Sequence, residues 1–298
     1  MMNIRPFIIH HSSFIIPKEV LVSVAVVVDS TADIPPAIRD ELGIEVVPLS
    51  ILFGKQSYLD GVEMSSDEFY RRLVEGNVHP TSSQPSPGAF AEVYQRLAKQ
   101  HEGIISIHLG SKLSGTVRSA QQAAELVPDV PIRVIDSGSV SLGFGFLGID
   151  AAEQARAGKD LDQIAAYVEQ RVSQIRLWAV LDTLEYLRRG GRIGRAGALL
   201  GTLLNVKPLI EIRGEVLPSE RVRTHRKAIA RMVELASGQA PYEHLAVLHS
   251  TSPHLADELA DQLGSIHPRA DILVSQLTGV IGVHGGPGVL GVTGIKKG

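Results

Sequence analysis

The chain has 298 residues, with 29 Lys plus Arg against 32 Asp plus Glu and a formal net charge of -3. That length suffices for two domains with their own cores, and the charge balance gives no global reason to expect nucleic acid. The absence of cysteine removes disulfides, thiolate catalysis and cysteine-ligated metals, and the 11 histidines form no His-x-x-x-His or Glu-x-x-His pair on an expected helix, so no metal is expected.

No stretch reaches the roughly 20 apolar residues that cross a bilayer. Residues 7–28 are fairly apolar, but Pro17, Lys18 and Glu19 interrupt them. They also lack the basic, then apolar, then small-residue order of a secretory signal. Residues 1–22 therefore read as an extension ahead of the folded part, and a cytoplasmic location is the expectation.

The first expected strand is 24–28, where four valines in five residues favour a short buried strand over a helical turn. Asp29-Ser30-Thr31 ends it, Pro35-Pro36 opens a helix, Ile38 and Leu42 share one face of that helix, and Gly43 caps it. A strand over 44–49 completes a strand–helix–strand unit, the mark of a parallel sheet. Helices are expected over 65–75 and 87–99, a strand over 103–108, a helix over 115–126 and a strand over 132–135. A long helix over 139–157 carries Gly143, Gly145 and Gly148, which points to close backbone packing at a loss of propensity. A helix over 161–172 ends this part.

Beyond residue 173 the pattern changes. A strand over 177–181 precedes a short helix at 184–187 that Gly190-Gly191 stops, and a second short helix spans 195–204. Strands 206–212 and 215–221 flank Arg213-Gly214 as a hairpin. A helix over 224–236, a strand over 245–249, a helix over 253–263 and a strand over 272–276 follow. Two short strands are expected around Gly285-Gly286-Pro287-Gly288. The fold class is thus α/β in two domains. Residues 23–173 form a parallel-sheet domain and 174–298 a mixed-sheet domain, with segment 53–58 able to pack on the second.

Four hydroxyl-rich segments carry the candidate chemistry: Asp29 to Asp33, Thr81 to Ser86, Ser111 to Thr116 and Asp136 to Ser139. They are expected to gather hydroxyls and backbone N–H groups at the carboxyl edge of the parallel sheet, as a cradle for an anion. Ser114 at a helix start binds negative charge or simply caps the helix. Ser86 before Pro87 is a cap, whereas Thr81, Ser82 and Ser83 are turn hydroxyls or ligand donors. Asp29 and Asp136 cap backbone amides, or else serve magnesium or acid–base work. The run Arg188, Arg189, Arg192 and Arg195 is a solvated face, a phosphate contact or a docking patch. Arg223 reaches a carboxylate or makes a surface pair, and His284 beside a Gly/Pro turn is either structural or functional. Neither a Walker motif nor a Gly-x-Ser-x-Gly elbow is present.

Taken in order, these pieces resemble the DegV family of bacterial fatty-acid-binding proteins. They are Val27 to Asp33, Pro80 to Pro85, Leu113-Ser114-Gly115-Thr116, Val134 to Ser137, Leu184 to Ile193, Val206-Lys207-Pro208, Val222-Arg223-Thr224 and His284 to Gly288. The resemblance implies two α/β domains enclosing a long-chain fatty acid, with no catalysis by this chain alone. It implies a separate ATP-dependent fatty acid kinase subunit, carrying the ATP and magnesium, that phosphorylates the carboxylate for phospholipid synthesis. On that resemblance the carboxylate donors fall on Ser82 and Ser114. Arg223 and His284 face the head group or the partner. The Arg188, Arg189, Arg192 and Arg195 run docks the kinase, and contact with a membrane surface would be transient. Two other readings remain open at this point: a stand-alone hydrolase or transferase using Ser114 and His284, and a binding module for another small carboxylate or phosphate.

Overall fold

The computed structural model describes residues 24–199 and 206–298. The expected extension over 1–22 and the end of the expected 195–204 helix lie outside the described residues. The first half contains β1 (Val24–Asp29), α1 (Pro36–Leu42), β2 (Glu45–Val47), β3 (Ser50–Phe53), β4 (Gln56–Leu59), α2 (Ser66–Glu75) and β5 (Thr81–Ser83). It continues with α3 (Pro87–Leu97), β6 (Gly103–His108), α4 (Thr116–Glu125), β7 (Ile132–Asp136), α5 (Leu142–Arg156) and α6 (Leu161–Val172). The second half contains β8 (Ile175–Val180), α7 (Glu185–Arg189), β9 (Lys207–Arg213), β10 (Glu215–Val222), α8 (His225–Ser237), β11 (Tyr242–His249), α9 (Pro253–Leu263), β12 (Ile272–Gln276), α10 (Gly279–Gly285) and β13 (Leu290–Lys296).

Strands β2-β1-β6-β7 form an all-parallel sheet. Strand β1 is central and buried on both faces, which explains its unbroken apolar run. Val24, Val26 and Val28 pack toward α5 and α6, while Ala25 and Val27 pack toward α3 and α4. Strands β10-β9-β8-β13-β11-β12 form a mixed sheet in which only β11 and β12 run parallel. The architecture is therefore a two-domain α/β fold with a parallel amino-terminal sheet and a mixed carboxyl-terminal one.

Helix α5 is the layer between the two sheets. It packs on β1 and β6 from one domain and on β8, β11 and β13 from the other, and twelve of its fifteen residues are buried. Its glycines are the close approaches expected of them: a Cβ on Gly145 would strike the carbonyl of Ala32, and one on Gly148 would come within 2.9 Å of Val28.

Two features differ from the sequence-based expectation. Thr81–Ser83 does not lie at the edge of the parallel sheet. It is β5 of a small antiparallel sheet, β4-β3-β5, with Ser82 opposite Ile51. The region expected as two closing strands is one helix, α10, followed by the single strand β13. Its glycines look like turn residues, but they serve packing. Gly279 and Gly282 lie three apart and face Ile51, Phe69 and Tyr70 so closely that a Cβ on Gly282 would press into the Phe69 ring and sit 2.8 Å from the Tyr70 hydroxyl. Gly286, at φ +77°, then turns the chain toward β13.

Gly282→Val is expected to destabilise the protein by about 1–3 kcal/mol through overpacking against Phe69 and Tyr70. Gly197→Ala, where nothing among the described residues lies within 4 Å of the added Cβ, should change stability by less than about 0.5 kcal/mol. Urea unfolding midpoints measure both, and equal shifts would remove the packing explanation for α10.

Candidate functional site

A cavity of about 270 Å³ lies against the mixed sheet, closed by loops of the first domain, β5 and α10. Most of its wall is apolar: Leu177 and Ala179 of β8, Ile210 and Ile212 of β9, Leu248 of β11, and Leu109, Leu113 and Val140 from loops of the first domain. Ser82, Gln84, Ser114, Arg192 and His284 supply a polar group to the same wall.

Each of these side chains is aimed by local structure. The two-residue period of β5 exposes Thr81 and Ser83 and turns Ser82 inward. Helix α10 brings His284 to it, so that Ser82 Oγ and His284 Nε2 lie 2.8 Å apart across 202 residues of chain. The other ring nitrogen, Nδ1, is buried without a partner among the described residues, against Gly190, where a Cβ would collide with it. An orphaned buried N–H is rarer than an orphaned acceptor. The favoured tautomer therefore carries its proton on Nε2 and donates to Ser82 Oγ. That leaves the Ser82 O–H free to donate into the cavity.

Ser114 is arranged in a similar way. Its Oγ accepts the Thr116 amide at 3.3 Å and lies 2.9 Å from the buried Thr116 hydroxyl. When Thr116 donates to Ser114, the Ser114 proton is likewise directed to the cavity. Arg192 adds the positive charge. Its Nε donates to the Leu113 carbonyl at 3.0 Å and one terminal nitrogen to the Gly190 carbonyl at 2.7 Å. Burial, with the nearby Arg192 and His79, depresses the His284 pKa from 6.5 to about 4. The imidazole is thus neutral at pH 7 and the only full charge among these five groups is cationic. Two neutral donors beside a guanidinium have the chemistry to accept a single carboxylate or similar anion.

The other expected residues lie elsewhere. Arg223 is exposed at the end of β10 and does not line the cavity. Arg188 and Arg189 are exposed, and both hold Glu185, at 2.7 Å and 2.6 Å. Those hydrogen bonds, from Arg188 first and then Arg189, pull the Glu185 carboxyl down to about 2. Arg195 is exposed too. His284 reaches Ser82 and not Ser114, so the Ser114–His284 pair considered from sequence is not formed. Asp29 and Asp136 hold backbone: Asp29 accepts the Thr31 and Leu109 amides, and Asp136 those of Ser111 and Gly138. Among the described residues no group of three or more His, Cys, Asp or Glu is placed to hold a metal ion, and no helix is long and apolar enough to cross a membrane.

Residues 23–297 match the family model described as uncharacterised protein, DegV family. The chain belongs to the DegV family. A DegV domain-containing protein of Streptomyces coelicolor is 43% identical over 275 residues, spanning 90% of this chain and 97% of the relative. Among solved structures, a DegV family protein from Thermus thermophilus superposes with a TM-score of 0.86 at 35% identity, covering 92% of this chain and 100% of that one. Bacillus subtilis DegV superposes with a TM-score of 0.85 at 34% identity, covering 92% and 99%. The Thermus protein is described by its fatty acid binding, and the Bacillus protein as a fatty acid binding protein.

Within this DegV chain, Arg192 differs from Arg188, Arg189 and Arg195, the run to which its place in the sequence assigns it, because it alone of the four lines the cavity. Gly191, at φ +67°, ends α7 and reverses the chain, and the Arg192 amide folds back to the Leu187 carbonyl at 2.9 Å. The side chain consequently enters the cavity wall while its neighbours stay outside. The Gly190-Gly191 pair followed by Arg was the available signal. Gln84, which also lines the cavity and donates to Ser119 Oγ at 3.0 Å, carried none.

Because His284 is held neutral, it contributes stability that is present above its unfolded pKa of about 6.5 and lost as pH falls toward 4. In Arg192→Gln, the His284 pKa is expected to rise toward 6.5. Nitrogen-15 imidazole NMR across a pH titration measures this, and an unmoved pKa would show that Arg192 exerts no field on the ring.

Proposed function

We propose that this protein binds one long-chain fatty acid in the cavity between its two domains, with the carboxylate at Ser82, Ser114, Arg192 and His284. The observation that carries the reading is the composition of the cavity wall. It is mostly apolar, and its polar members are Ser82, Ser83, Ser114 and Ser141, the Gln84 amide, a neutral histidine and one guanidinium, with the Ser82 and Ser114 hydroxyls oriented by their neighbours. Burial of each methylene contributes about 0.8 kcal/mol, so the acyl chain supplies most of the affinity. The polar groups fix which end of the ligand points where. The fatty acid binding stated for the Thermus and Bacillus relatives supports the same assignment.

In this reading the protein acts in the cytoplasm as the substrate subunit of an ATP-dependent fatty acid kinase. It holds the carboxylate while the partner, with its own ATP and magnesium, transfers phosphate to it, and the acyl phosphate feeds phospholipid synthesis. The cavity chemistry is consistent with presentation of the ligand. Among the described residues His284 has no carboxylate on Nδ1 to orient and charge it, and its low pKa makes it a poor base. Ser82 is therefore a donor and not an activated nucleophile. Arg188, Arg189, Arg195 and Arg223 remain on the surface and are available to an acidic or phosphate-bearing partner face.

Native mass spectrometry of the purified protein, followed by lipid extraction, tests the ligand class, with a long-chain fatty acid at one per chain as the expected result. Replacing both Ser82 and Ser114 by alanine should weaken fatty acid binding at least tenfold, since a hydrogen bond to a charged group contributes about 1.5–3 kcal/mol. Displacement of a fluorescent fatty acid measures it, and unchanged affinity would overturn the head-group site. Arg189→Glu should lower acyl phosphate formation with the kinase while leaving the fatty acid Kd as in the wild type. Equal turnover in both proteins would remove Arg189 from the docking face.

A further inference from the structure

The amino end of α10 is held by two carboxyl groups from the first domain. Asp33 Oδ1 accepts the Thr278 amide at 2.9 Å, and Asp60 Oδ1 accepts the Gly279 amide at 3.1 Å. The Asp33 carbonyl also accepts Ser275 Oγ at 2.8 Å, and Asp60 Oδ2 accepts Ser30 Oγ at 2.9 Å. Asp33 sits in the left-handed region at φ +52°, so its side chain is aimed by a backbone conformation that few residues adopt. The two side chains are 6% and 2% exposed, and among the described residues neither makes an ion pair. Asp33 Oδ2, Thr278 Oγ1 and the Tyr70 hydroxyl are buried there with no hydrogen-bond partner.

Two adjacent carboxylates in such a place are poorly tolerated when both are ionised. When protonated, each still accepts a helix amide through its carbonyl oxygen and gains a proton to donate to a neighbouring hydroxyl. The helix so held is the one that carries His284 to Ser82 and contributes Val280, Ile281 and Gly285 to the cavity wall. His284 lies six residues beyond Thr278, roughly 9 Å along the helix axis.

We propose that Asp33 and Asp60 form a proton-operated latch that positions α10: protonated, they seat the helix and hold His284 on Ser82; ionised, they loosen it and open the polar end of the cavity. Burial is the main cause that raises Asp33 from 3.8 to about 7 and Asp60 from 3.8 to about 6, and the charge of Asp60 pushes Asp33 further up. A carboxyl whose pKa is raised in the seated state favours seating fully at low pH. That preference is lost as pH rises through about 6 and about 7.

The charged groups that line the same cleft as the pair are Asp67 from α2, Arg39 and Asp40 from α1, Glu45 from β2, and Asp29 at the end of β1, and Tyr70 of α2 is buried beside the two carboxyls. Tyr70 is held far above its ordinary range by burial and by the two carboxyls, so it stays neutral. On α10 itself His284 titrates at about 4, and His79 beside it is lowered as well. The consequence for ligand release rests on the fatty-acid reading given above; the seating of the helix does not.

Hydrogen–deuterium exchange of the 279–286 amides tests the latch on the full chain. Corrected for intrinsic exchange, opening should increase about tenfold or more from about pH 5 to about pH 8. In Asp33→Asn/Asp60→Asn, a neutral pair that keeps its acceptor oxygens, protection should be independent of pH. A flat wild-type profile, or the same slope in the double variant, would overturn the proposal. Carbon-13 carboxyl NMR of the wild type gives a second measurement that no variant's folding can confuse: titration of Asp33 and Asp60 near an ordinary carboxylate value would overturn it equally. Stopped-flow release of a bound fluorescent fatty acid should quicken over the same pH range in the wild type and not in the double variant. If exchange follows pH but no fatty acid binds, the latch stands and the ligand assignment falls. If fatty acid binds while exchange is flat, the reverse holds.

Discussion

The close approach of α10 to α2 and β3 is the constraint on which the site depends. Gly279 and Gly282 let the helix backbone lie against Ile51, Phe69 and Tyr70 with no side chain between them. A seven-residue helix has too few internal hydrogen bonds to hold itself in water. It exists because Val280 and Val283 join Leu49, Ile51, Met64, Phe69 and Leu73 in a shared apolar cluster, and because Asp33 and Asp60 take its first amides. The segment belongs to the second half of the chain, yet besides α7 of that half it packs on α2, β3 and β5 of the first. That exchange puts His284 beside Ser82.

From this follows the electrostatic character of the polar end. A histidine in open water would be partly charged near neutrality. Buried between Gly190 and Ser82, and close to Arg192, it stays neutral and donates one hydrogen bond. Arg192 is left as the single cation. Its guanidinium is fixed by two backbone carbonyls and, among the described residues, by no carboxylate, so none of these neutralises its charge in advance. Glu185, the acidic residue of α7, pairs with Arg188 and Arg189 and does not line the cavity.

The chain announces those elements whose rules are local. Pro35-Pro36 and Gly43 bracket α1, and Ser65, Ser86 and Asp160 cap α2, α3 and α6 with their own side chains. The apolar run of β1 reads as a strand buried on both faces, and the three glycines of α5 read as close packing. What stayed hidden depends on distant partners. Ser82 is a strand residue only because Ser50, Ile51 and Leu52 pair with it and its neighbours. The glycines of α10 look like turn residues until Phe69 and Tyr70 are set against them. Arg192 looks like one of four equivalent arginines until Gly191 reverses the chain. Ser82, Ser114 and His284 could be singled out by their motifs, but the contact between Ser82 and His284 could not.

The way the two domains are joined limits how a ligand can enter. A continuous apolar cluster runs from Val24, Val26 and Val28 through α5 and α6 to Ile175, Leu177, Ala246 and Ile295 of the mixed sheet. Buried Asp150 of α5 adds a polar tie, accepting Arg171 at 2.9 Å and meeting His244 of β11 at 2.7 Å, where the imidazole stacks on Phe146. Separating the sheets would expose that cluster at about 25 cal/mol for each Å² and would strand a buried carboxylate. Domains that share so large an apolar interface do not rock apart freely. On the proposed reading, exchange of an enclosed ligand therefore falls to the smaller elements at the polar end, where α10 is held by hydrogen bonds from two buried carboxyls as well as by apolar contact.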